Sequence, residues 1–367
     1  MFKLSLLTPF AWFCLFQFVL PCATIGQLSL AGRVVNGSTG LPLSGASVYF
    51  NNTSIGTSSN DKGEFSFSNV DLGNSELVVS SIGFEILVVK INANLVKGKF
   101  YLCQLTPKEE QLKDVLVLSD ARRKRLLEIF KENFLGHTRE ADKSSMQNLK
   151  SIYFTRGSSG SGFNAYTDTP IIITNNQLGY RVSFQLVEFS FDEATGITYF
   201  IGYTRYEELG DKKRWIKNRQ DAYFGSTLHF FRSFISNRLN AEGYDLYLVK
   251  PVGNTENKSS AEMAMTITPS QISSANEADT GYLKITVPGK LMVQYRRNPP
   301  SKNYLARKMM VMGSMPLGFR AFINLTEPYF LVDRNGILED PLAINYGGYW
   351  IYERAANLLP FNYQPGN

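Results

Sequence analysis

Short runs of alternating apolar and polar residues fill the chain between residues 28 and 117. Glu64–Ser68 shows the pattern most clearly, because Phe65 and Phe67 share one face of an extended strand. Clusters of turn residues separate the runs at close spacing, which is typical of a β-sandwich. The predicted strands are Leu28–Val35, Ala46–Phe50, Thr53–Thr57, Glu64–Ser68, Glu76–Ser80, Glu85–Ile91 and Phe100–Leu105. The pattern therefore predicts an all-β domain over residues 27–117.

Residues 118–367 mix helical and extended periods, which predicts an α+β domain with a mainly antiparallel sheet. The clearest helix is Asp120–Leu135, because Ser119 or Asp120 can cap it and Gly136 can end it. The other predicted helices are Glu140–Asn148, Asp211–Tyr223, Ser226–Leu239 and Gly348–Leu359. The predicted strands are Leu149–Thr155, Ile171–Thr174, Tyr180–Phe191, Ile197–Arg205 and segments near 282–287, 290–296, 306–313, 319–325 and 329–332, with Asn254–Ser274 as a surface loop.

Residues 1–26 have the pattern of a cleaved export signal. Lys3 supplies positive charge, residues 6–20 are almost entirely apolar, and the small residues Thr24 and Gly26 precede a cut before Gln27. Two alternatives stay open. A retained membrane anchor would be short for a bilayer that needs about 20 apolar residues, and a lipoprotein signal would use Cys22 as the lipidated residue.

Composition narrows the chemistry that the chain can perform. The 367 residues include two His and three Cys, and cleavage of the signal would leave Cys103 alone, in an alternating strand where a buried structural thiol is expected. Zinc fingers, iron–sulfur sites, disulfide scaffolds and three-His metal centres are excluded by these counts. Lys and Arg number 38 against 32 Asp and Glu, and the only dense basic run is 122–125, a solvated helix end or a contact for anionic lipid.

One sequence pattern in the predicted sandwich is specific. The string GRVVNGSTGLPLSGASVYFNNTSIGTSSNDKGEFSF, followed by ELVVSSIGFE, resembles the carboxypeptidase-like regulatory domain. The matching positions are Gly32, Val34, Thr39, Gly40, Pro42, Leu43, Gly45, Ala46, Val48, Gly56, Thr57, Gly63, Phe65, Ser80, Ile82, Gly83 and Phe84. The resemblance implies a seven-stranded, transthyretin-like β-sandwich without catalytic residues, in an exported protein of the Gram-negative envelope. The region after it resembles the uncharacterised part of such proteins.

A zinc carboxypeptidase site is not supported by the remaining residues. His137 and Glu140 have His-x-x-Glu spacing and His229 could supply a third ligand, but His137 follows Gly136 at a helix end and no substrate clamp aligns after it. Nucleotide-binding glycine motifs and a Gly-x-Ser-x-Gly elbow are also absent from the sequence. We therefore assign no catalytic residue, metal or cofactor.

Polar residues on the two helices between 211 and 239 form the one candidate site. They are Arg219, Tyr223, Ser226, His229 and Arg232. Together they could bind a carboxylate or phosphate, with His229 as a base. Alternatively, the two arginines hydrogen-bond carbonyls at a helix corner, with His229 satisfied beside them.

Two classes of function follow. The first is a non-enzymatic envelope protein, in the periplasm or at the outer membrane, whose β-sandwich is a docking or structural module and whose second domain binds a protein, peptide or glycan. The second is a hydrolase of peptide or envelope polymer that uses His229. An open cavity around Arg219, Ser226 and His229 would favour the hydrolase, whereas burial of His229 with both nitrogens satisfied would count against it. An exported chain is not expected to bind nucleic acid.

Overall fold

The computed structural model describes residues 28–70, 75–91, 99–109, 115–157, 160–252, 261–276, 281–297, 304–305 and 319–366. The predicted export signal at 1–26 and the predicted strand at 306–313 lie outside these residues. Within the described part of the chain, no helix is both long enough and apolar enough to cross a membrane.

Seven strands form the N-terminal β-sandwich, as predicted. They are β1 (Leu28–Asn36), β2 (Ser47–Phe50), β3 (Gly56–Ser58), β4 (Glu64–Val70), β5 (Ser75–Ser80), β6 (Leu87–Ile91) and β7 (Phe100–Leu105). One sheet has the order β4-β1-β7 and the other β3-β2-β5-β6. All pairs are antiparallel except β1 with β7, which is parallel. Gly40 and Gly63 have positive φ angles of 70° and 76°, which glycine adopts in tight turns without steric cost.

Both faces of β2 and β5, the central strands of the β3-β2-β5-β6 sheet, are buried. Val48 and Phe50 face the core of the sandwich, which also contains Leu77 and Val79. Tyr49 alternates with these residues and faces the opposite way, yet it is only 3% exposed. A strand that is buried on both faces must be covered by another part of the fold. Here the cover is the second half of the chain.

A second core lies between a six-stranded sheet and one helix. The strands are β8 (Ser144–Gln147), β9 (Tyr153–Arg156), β10 (Phe163–Tyr166), β11 (Ile171–Asn175), β12 (Tyr180–Phe191) and β13 (Thr198–Glu208). The order is β8-β11-β12-β10-β9, and β13 pairs with β12 along its length. Helix α1 (Asp120–Leu135) begins after the Ser119 cap and ends at Gly136, as predicted. Phe130 and Phe134 of α1 pack against Phe184 and Phe189 of β12.

A third core joins two further antiparallel sheets to the last two α-helices of the chain, whereas the two α-helices before them contribute side chains to the second core. The helices are α2 (Arg139–Asp142), α3 (Lys213–Tyr223), α4 (Thr227–Ile235) and α5 (Leu239–Glu242). The strands are β14 (Tyr244–Val252), β15 (Ala261–Ile267), β16 (Ser273–Ala275), β17 (Tyr282–Ile285), β18 (Lys290–Tyr295), β19 (Phe319–Leu325), β20 (Phe330–Asp333) and β21 (Ile344–Gly348). The sheet orders are β15-β14-β18-β19-β21 and β16-β17-β20. The aromatic side chains of α4 pack into this core. The fold after residue 117 is thus mainly antiparallel with few helices, as the sequence predicts.

Three predicted elements are wrong, and the predicted helix Ser226–Leu239 is shorter in the structure, where α4 ends at Ile235. Glu140–Asn148 is not a helix, because the chain leaves α2 after one turn and β8 pairs with β11. Asn254–Ser274 is not only a loop, because its residues 261–267 form β15 on the edge of β14. Gly348–Leu359 is not a helix either: after a 3-10 turn at Tyr349–Ile351, the segment passes between two cores and contributes side chains to both.

Candidate functional site

Arg219 and Arg232, the two arginines of the sequence-predicted cluster, both bind backbone carbonyls. Arg219 donates to the carbonyl oxygens of Leu178 at 2.8 Å and Gly179 at 3.0 Å, and it forms an ion pair with Glu208 at 2.9 Å. Its guanidinium also lies 4.0 Å from the ring centroid of Tyr180. These contacts hold α3 against the start of β12, and they occupy the guanidinium on all three nitrogens.

Arg232 binds the C-terminal segment of the chain. It donates to the carbonyl oxygens of Asn335 at 3.2 Å, Phe361 at 2.8 Å and Tyr363 at 2.7 Å. Three carbonyls from two separate segments therefore meet on one side chain of α4. This geometry serves to fix the segments in place.

His229 lies inside the helix corner. The side chain is 4% exposed, and Nδ1 accepts hydrogen bonds from the backbone N–H of Gly225 at 3.1 Å and the hydroxyl of Tyr244 at 2.9 Å. Since Nδ1 accepts, the proton of the neutral ring is on Nε2, which faces Glu242 at 3.6 Å. Tyr223 packs on the ring with centroids 5.0 Å apart. Ser226 caps α4, its hydroxyl accepting from the backbone N–H of residue 229.

Burial lowers the pKa of His229 to about 4, and the nearby carboxylate of Glu242 opposes this shift only in part. The unfolded chain takes up this proton near pH 6.5, whereas the folded protein does so only near pH 4. His229 therefore lowers the stability of the fold as the pH falls from about 6.5 to about 4. We expect the stability of wild type relative to His229→Asn, which retains an acceptor near Nδ1, to fall by at most about 3 kcal/mol over this range. Urea unfolding of both proteins at several pH values measures this difference in the free energy of unfolding.

Glu353 contributes a pH dependence of the opposite sign. Burial raises the pKa of Glu353 to about 8, so this group lowers stability as the pH rises from about 4.5 to about 8. Because both proteins in the comparison contain Glu353, its effect cancels in the difference. A difference between wild type and His229→Asn that does not change between pH 7 and pH 4 would contradict the burial of a neutral imidazole.

His137 and Cys103 are the other residues that the sequence analysis considered for metal or thiol chemistry. No group of three or more metal-ligating side chains occurs among the described residues. His137 follows α1, and its carbonyl accepts a hydrogen bond from the hydroxyl of Tyr352 at 2.7 Å. Cys103 is buried, and burial raises the pKa of its thiol to about 11, so it is protonated at neutral pH.

A polar cleft lies where the β-sandwich meets β13. The turn between β2 and β3 is hydrogen-bonded to this strand: the N–H of Asn52 donates to Thr204 at 2.8 Å, and the N–H of Tyr206 donates to Thr53 at 2.9 Å. Asn52 has a φ angle of 56°, a conformation that Asn adopts more readily than most residues. Thr53 and Arg205 consequently form an isolated parallel β-bridge between the two parts of the chain.

The C-terminal segment closes this interface from the other side. The N–H of Phe361 donates to the carbonyl of Asn52 at 2.6 Å. Asn362 and Ser54 exchange two hydrogen bonds, of 3.0 and 2.8 Å. The sandwich is therefore held by backbone groups as well as by side chains, which sets its position on the six-stranded sheet.

Six residues line the resulting cavity of about 170 Å³: Ser47, Ile172, Arg181, Ser183, Arg205 and Glu207. The strand register explains why they meet. Ser183 pairs with both Ile172 and Arg205, and Arg181 pairs with Glu207, so all five belong to the face of the sheet opposite α1. Ser47 is added from β2 of the sandwich.

The two arginines of the cleft differ in their partners. Arg205 donates to the hydroxyl of Ser47 at 3.1 Å and lies 3.9 Å from the carboxylate of Glu207, so its position is set from both sides. A Cβ atom on Gly56 would come within 2.7 Å of Nε of Arg205, which shows how closely the sandwich backbone approaches it. Arg181 is exposed, and its guanidinium has no hydrogen bond or ion pair to another described residue. The cleft therefore offers one fixed and one free guanidinium.

This cleft was not anticipated from the sequence. The alternation of Tyr180–Phe191 predicts a polar face with Arg181 and Ser183, and such a face of an antiparallel sheet is ordinarily exposed to solvent. A signal did exist, because Arg205 and Glu207 show the same period two spacing in the next strand. What the sequence does not show is that the turn after β2 covers one end of this face.

Comparison with solved structures finds matches of low similarity. A putative membrane-associated protein of unknown function from Bacteroides fragilis is 11% identical, with 88% of this chain and 93% of that chain covered and a TM-score of 0.19. A putative carbohydrate binding protein from Bacteroides uniformis is 9% identical (65% and 98% covered, TM-score 0.18), and a DUF3823 family protein from the same species is 8% identical (75% and 93% covered, TM-score 0.17). These scores are too low to carry an argument about this chain. No curated protein matches it.

The family comparison concerns the N-terminal part. The model of the CarboxypepD_reg-like domain matches residues 30–117, the same segment that forms the seven-stranded sandwich. The match agrees with the glycine and apolar positions that carry the resemblance in the sequence. Residues 30–117 are therefore a CarboxypepD_reg-like domain.

Proposed function

We propose that the chain is an exported, non-enzymatic envelope protein that binds a glycan in the cleft between its CarboxypepD_reg-like domain, residues 27–117, and its second domain, residues 118–367. The observation that carries this proposal is the placement of Arg181, Ser183 and Arg205 around a cavity completed by Ser47 of the sandwich. Ligand sites are common where two domains meet, because each can contribute polar groups that converge on one molecule.

The composition of the cleft favours a glycan over a protein or peptide. Five of its six lining residues are polar, and Ile172 is the one apolar side chain. Peptides are usually bound by a free strand edge or an apolar groove, whereas this cleft lies on the face of a sheet between strands that are already paired. Its volume is below the roughly 300–1,000 Å³ of pockets for drug-sized ligands, so it suits a single small polar group such as one sugar ring.

The hydrolase alternative receives no support from His229. A general base must come within hydrogen-bonding reach of substrate. His229 is buried, its Nδ1 is occupied by Gly225 and Tyr244, and its Nε2 faces Glu242. In the binding protein that we propose, Arg219 and Arg232 are structural residues that bind backbone carbonyls. The β-sandwich is the structural module that completes the cleft.

A tryptophan in the cleft should abolish glycan binding. We expect Ser183→Trp to fill the cavity and to remove binding on an array of neutral and acidic bacterial glycans probed with the mature chain. Ser66→Trp is the matched control, because Ser66 is an exposed strand residue on the other sheet of the sandwich. Circular dichroism would establish that both variants are folded.

Two results would overturn the proposal. If the wild-type protein binds no glycan on the array, the function itself is wrong. If Ser183→Trp binds as wild type does, a glycan site exists elsewhere and the cleft is not the site.

A further inference from the structure

We propose that the cleft recognises an acidic saccharide, a sugar ring that carries a carboxylate beside hydroxyl groups, and this inference rests on the glycan-binding function proposed above. The charges that line the cavity are two guanidiniums and one carboxylate.

Arg181 is the group that binds the ligand carboxylate. A guanidinium has a planar arrangement of donors that matches the two oxygens of a carboxylate, and charge-assisted pairs of this kind are the stronger hydrogen bonds. Arg181 has no competing partner among the described residues, although it lies opposite Glu207 in the strand register. Binding a carboxylate therefore breaks no existing contact of Arg181.

Glu207 explains why the ligand must also carry hydroxyl groups. Its carboxylate accepts hydrogen bonds but cannot donate them when ionised, and the side chain of Glu207 is 51% exposed. A bare anion such as sulfate has no proton to donate to Glu207, so it leaves this acceptor without a partner, whereas a sugar hydroxyl can donate to it. The hydroxyl of Ser183, which has no partner in the described part of the chain, can donate to or accept from the same ring.

Arg205 positions the rest of the cleft. Its hydrogen bond to Ser47 and its approach to Glu207 orient the acceptor that reads the hydroxyl groups. Ile172 offers an apolar surface to the C–H groups of the ring. An acidic sugar thus finds a donor for its carboxylate, an acceptor for its hydroxyls and an apolar contact in one cavity.

The test compares glucuronic acid, glucose and sulfate by calorimetric titration of the full mature chain. We expect glucuronic acid to bind at least roughly tenfold more tightly than glucose, a difference of about 1.4 kcal/mol, because a charge-assisted hydrogen bond is stronger than one between neutral groups. Arg181→Gln should abolish this preference, so that the variant binds glucuronic acid and glucose with about equal affinity. Arg122→Gln should leave it unchanged, because Arg122 is exposed on α1, which covers the opposite face of the sheet.

Glu207→Gln separates recognition of a sugar acid from simple attraction of an anion. Removing a negative charge should strengthen the binding of sulfate but weaken that of glucuronic acid, which loses a strong acceptor for its hydroxyls. If both ligands bind more tightly to this variant, the site is a general anion site and the inference is wrong. If glucose binds as tightly as glucuronic acid, the inference fails while the glycan function stands. If neither sugar binds and the glycan array is also blank, both fail.

Discussion

Arg232→Ala is expected to lower the free energy of unfolding by about 3–5 kcal/mol. The guanidinium binds three backbone carbonyls, those of Asn335, Phe361 and Tyr363. Hydrogen bonds to charged groups contribute about 1.5–3 kcal/mol each and do not add fully, and the alanine variant would leave partly buried carbonyls without a donor. Urea denaturation at pH 7 measures the change.

The effect of Arg232→Ala should extend to the interface with the sandwich. Phe361 also donates to Asn52, so a loosened C-terminal segment weakens the hydrogen bonds around the turn after β2. We expect faster proteolytic cleavage in residues 360–366 of the variant. Arg238→Ala is the control, because the side chain of Arg238 is 65% exposed, pairs only with Glu242 among the described residues, and should change stability by about 1 kcal/mol or less. Equal losses in the two variants would contradict the role assigned to Arg232.

Gly179→Ala is expected to destabilise the protein by about 2–5 kcal/mol, through a steric clash and backbone strain together. Gly179 has a φ angle of 71°, and a Cβ atom there would lie 2.2 Å from Cδ2 of Trp215. Trp215 cannot easily move away, because its indole N–H donates to the carbonyl of Asn176 at 2.9 Å. Overpacking of this kind costs about 1–3 kcal/mol, and the left-handed conformation costs a residue with Cβ about 1–2 kcal/mol more.

Gly196→Ala separates the two causes. Gly196 has a nearly equal φ angle of 68°, but no atom lies within 4 Å of the position of its Cβ. This variant should therefore show the backbone strain alone, about 1–2 kcal/mol. We expect melting temperatures lower by roughly 3–7 °C for Gly179→Ala and by roughly 1–3 °C for Gly196→Ala, measured by differential scanning calorimetry. Similar shifts for both would show that Trp215 yields without cost.

The sandwich and the first helix could be predicted because their signals are local. Alternation in Glu64–Ser68, turn glycines such as Gly63, and the Ser119 cap each depend on neighbours a few residues away. The segment 261–267 was missed since its polar flanks suggest a loop, and only pairing with β14 makes it a strand. Gly348–Leu359 has apolar residues at helical spacing, but they are divided between two cores.

The cleft could not be predicted for a related reason. Arg181, Ser183, Arg205 and Glu207 are recognisable as polar members of two alternating strands, yet a polar strand face is ordinarily left to solvent. Ser47 belongs to another domain, and it reaches Arg205 only because the turn after β2 docks on β13. The helix caps and the periodicity of the sequence instead indicate a site at Arg219 and His229, whose side chains contact other parts of the fold.

The pairing of Ser54 with Asn362 has a consequence for the order in which the protein folds. The two residues are 308 positions apart, so their contact closes a loop that includes most of the chain. Closing so long a loop costs more conformational entropy than forming the neighbouring strand pairs, and contacts of this kind form late. The sandwich should therefore fold first. The outer face of β2, which includes Tyr49, should then stay exposed to solvent until the C-terminal residues have docked. During that interval the uncovered strand is the surface through which two immature copies would associate, and a chaperone that shields it would raise the yield of folded protein.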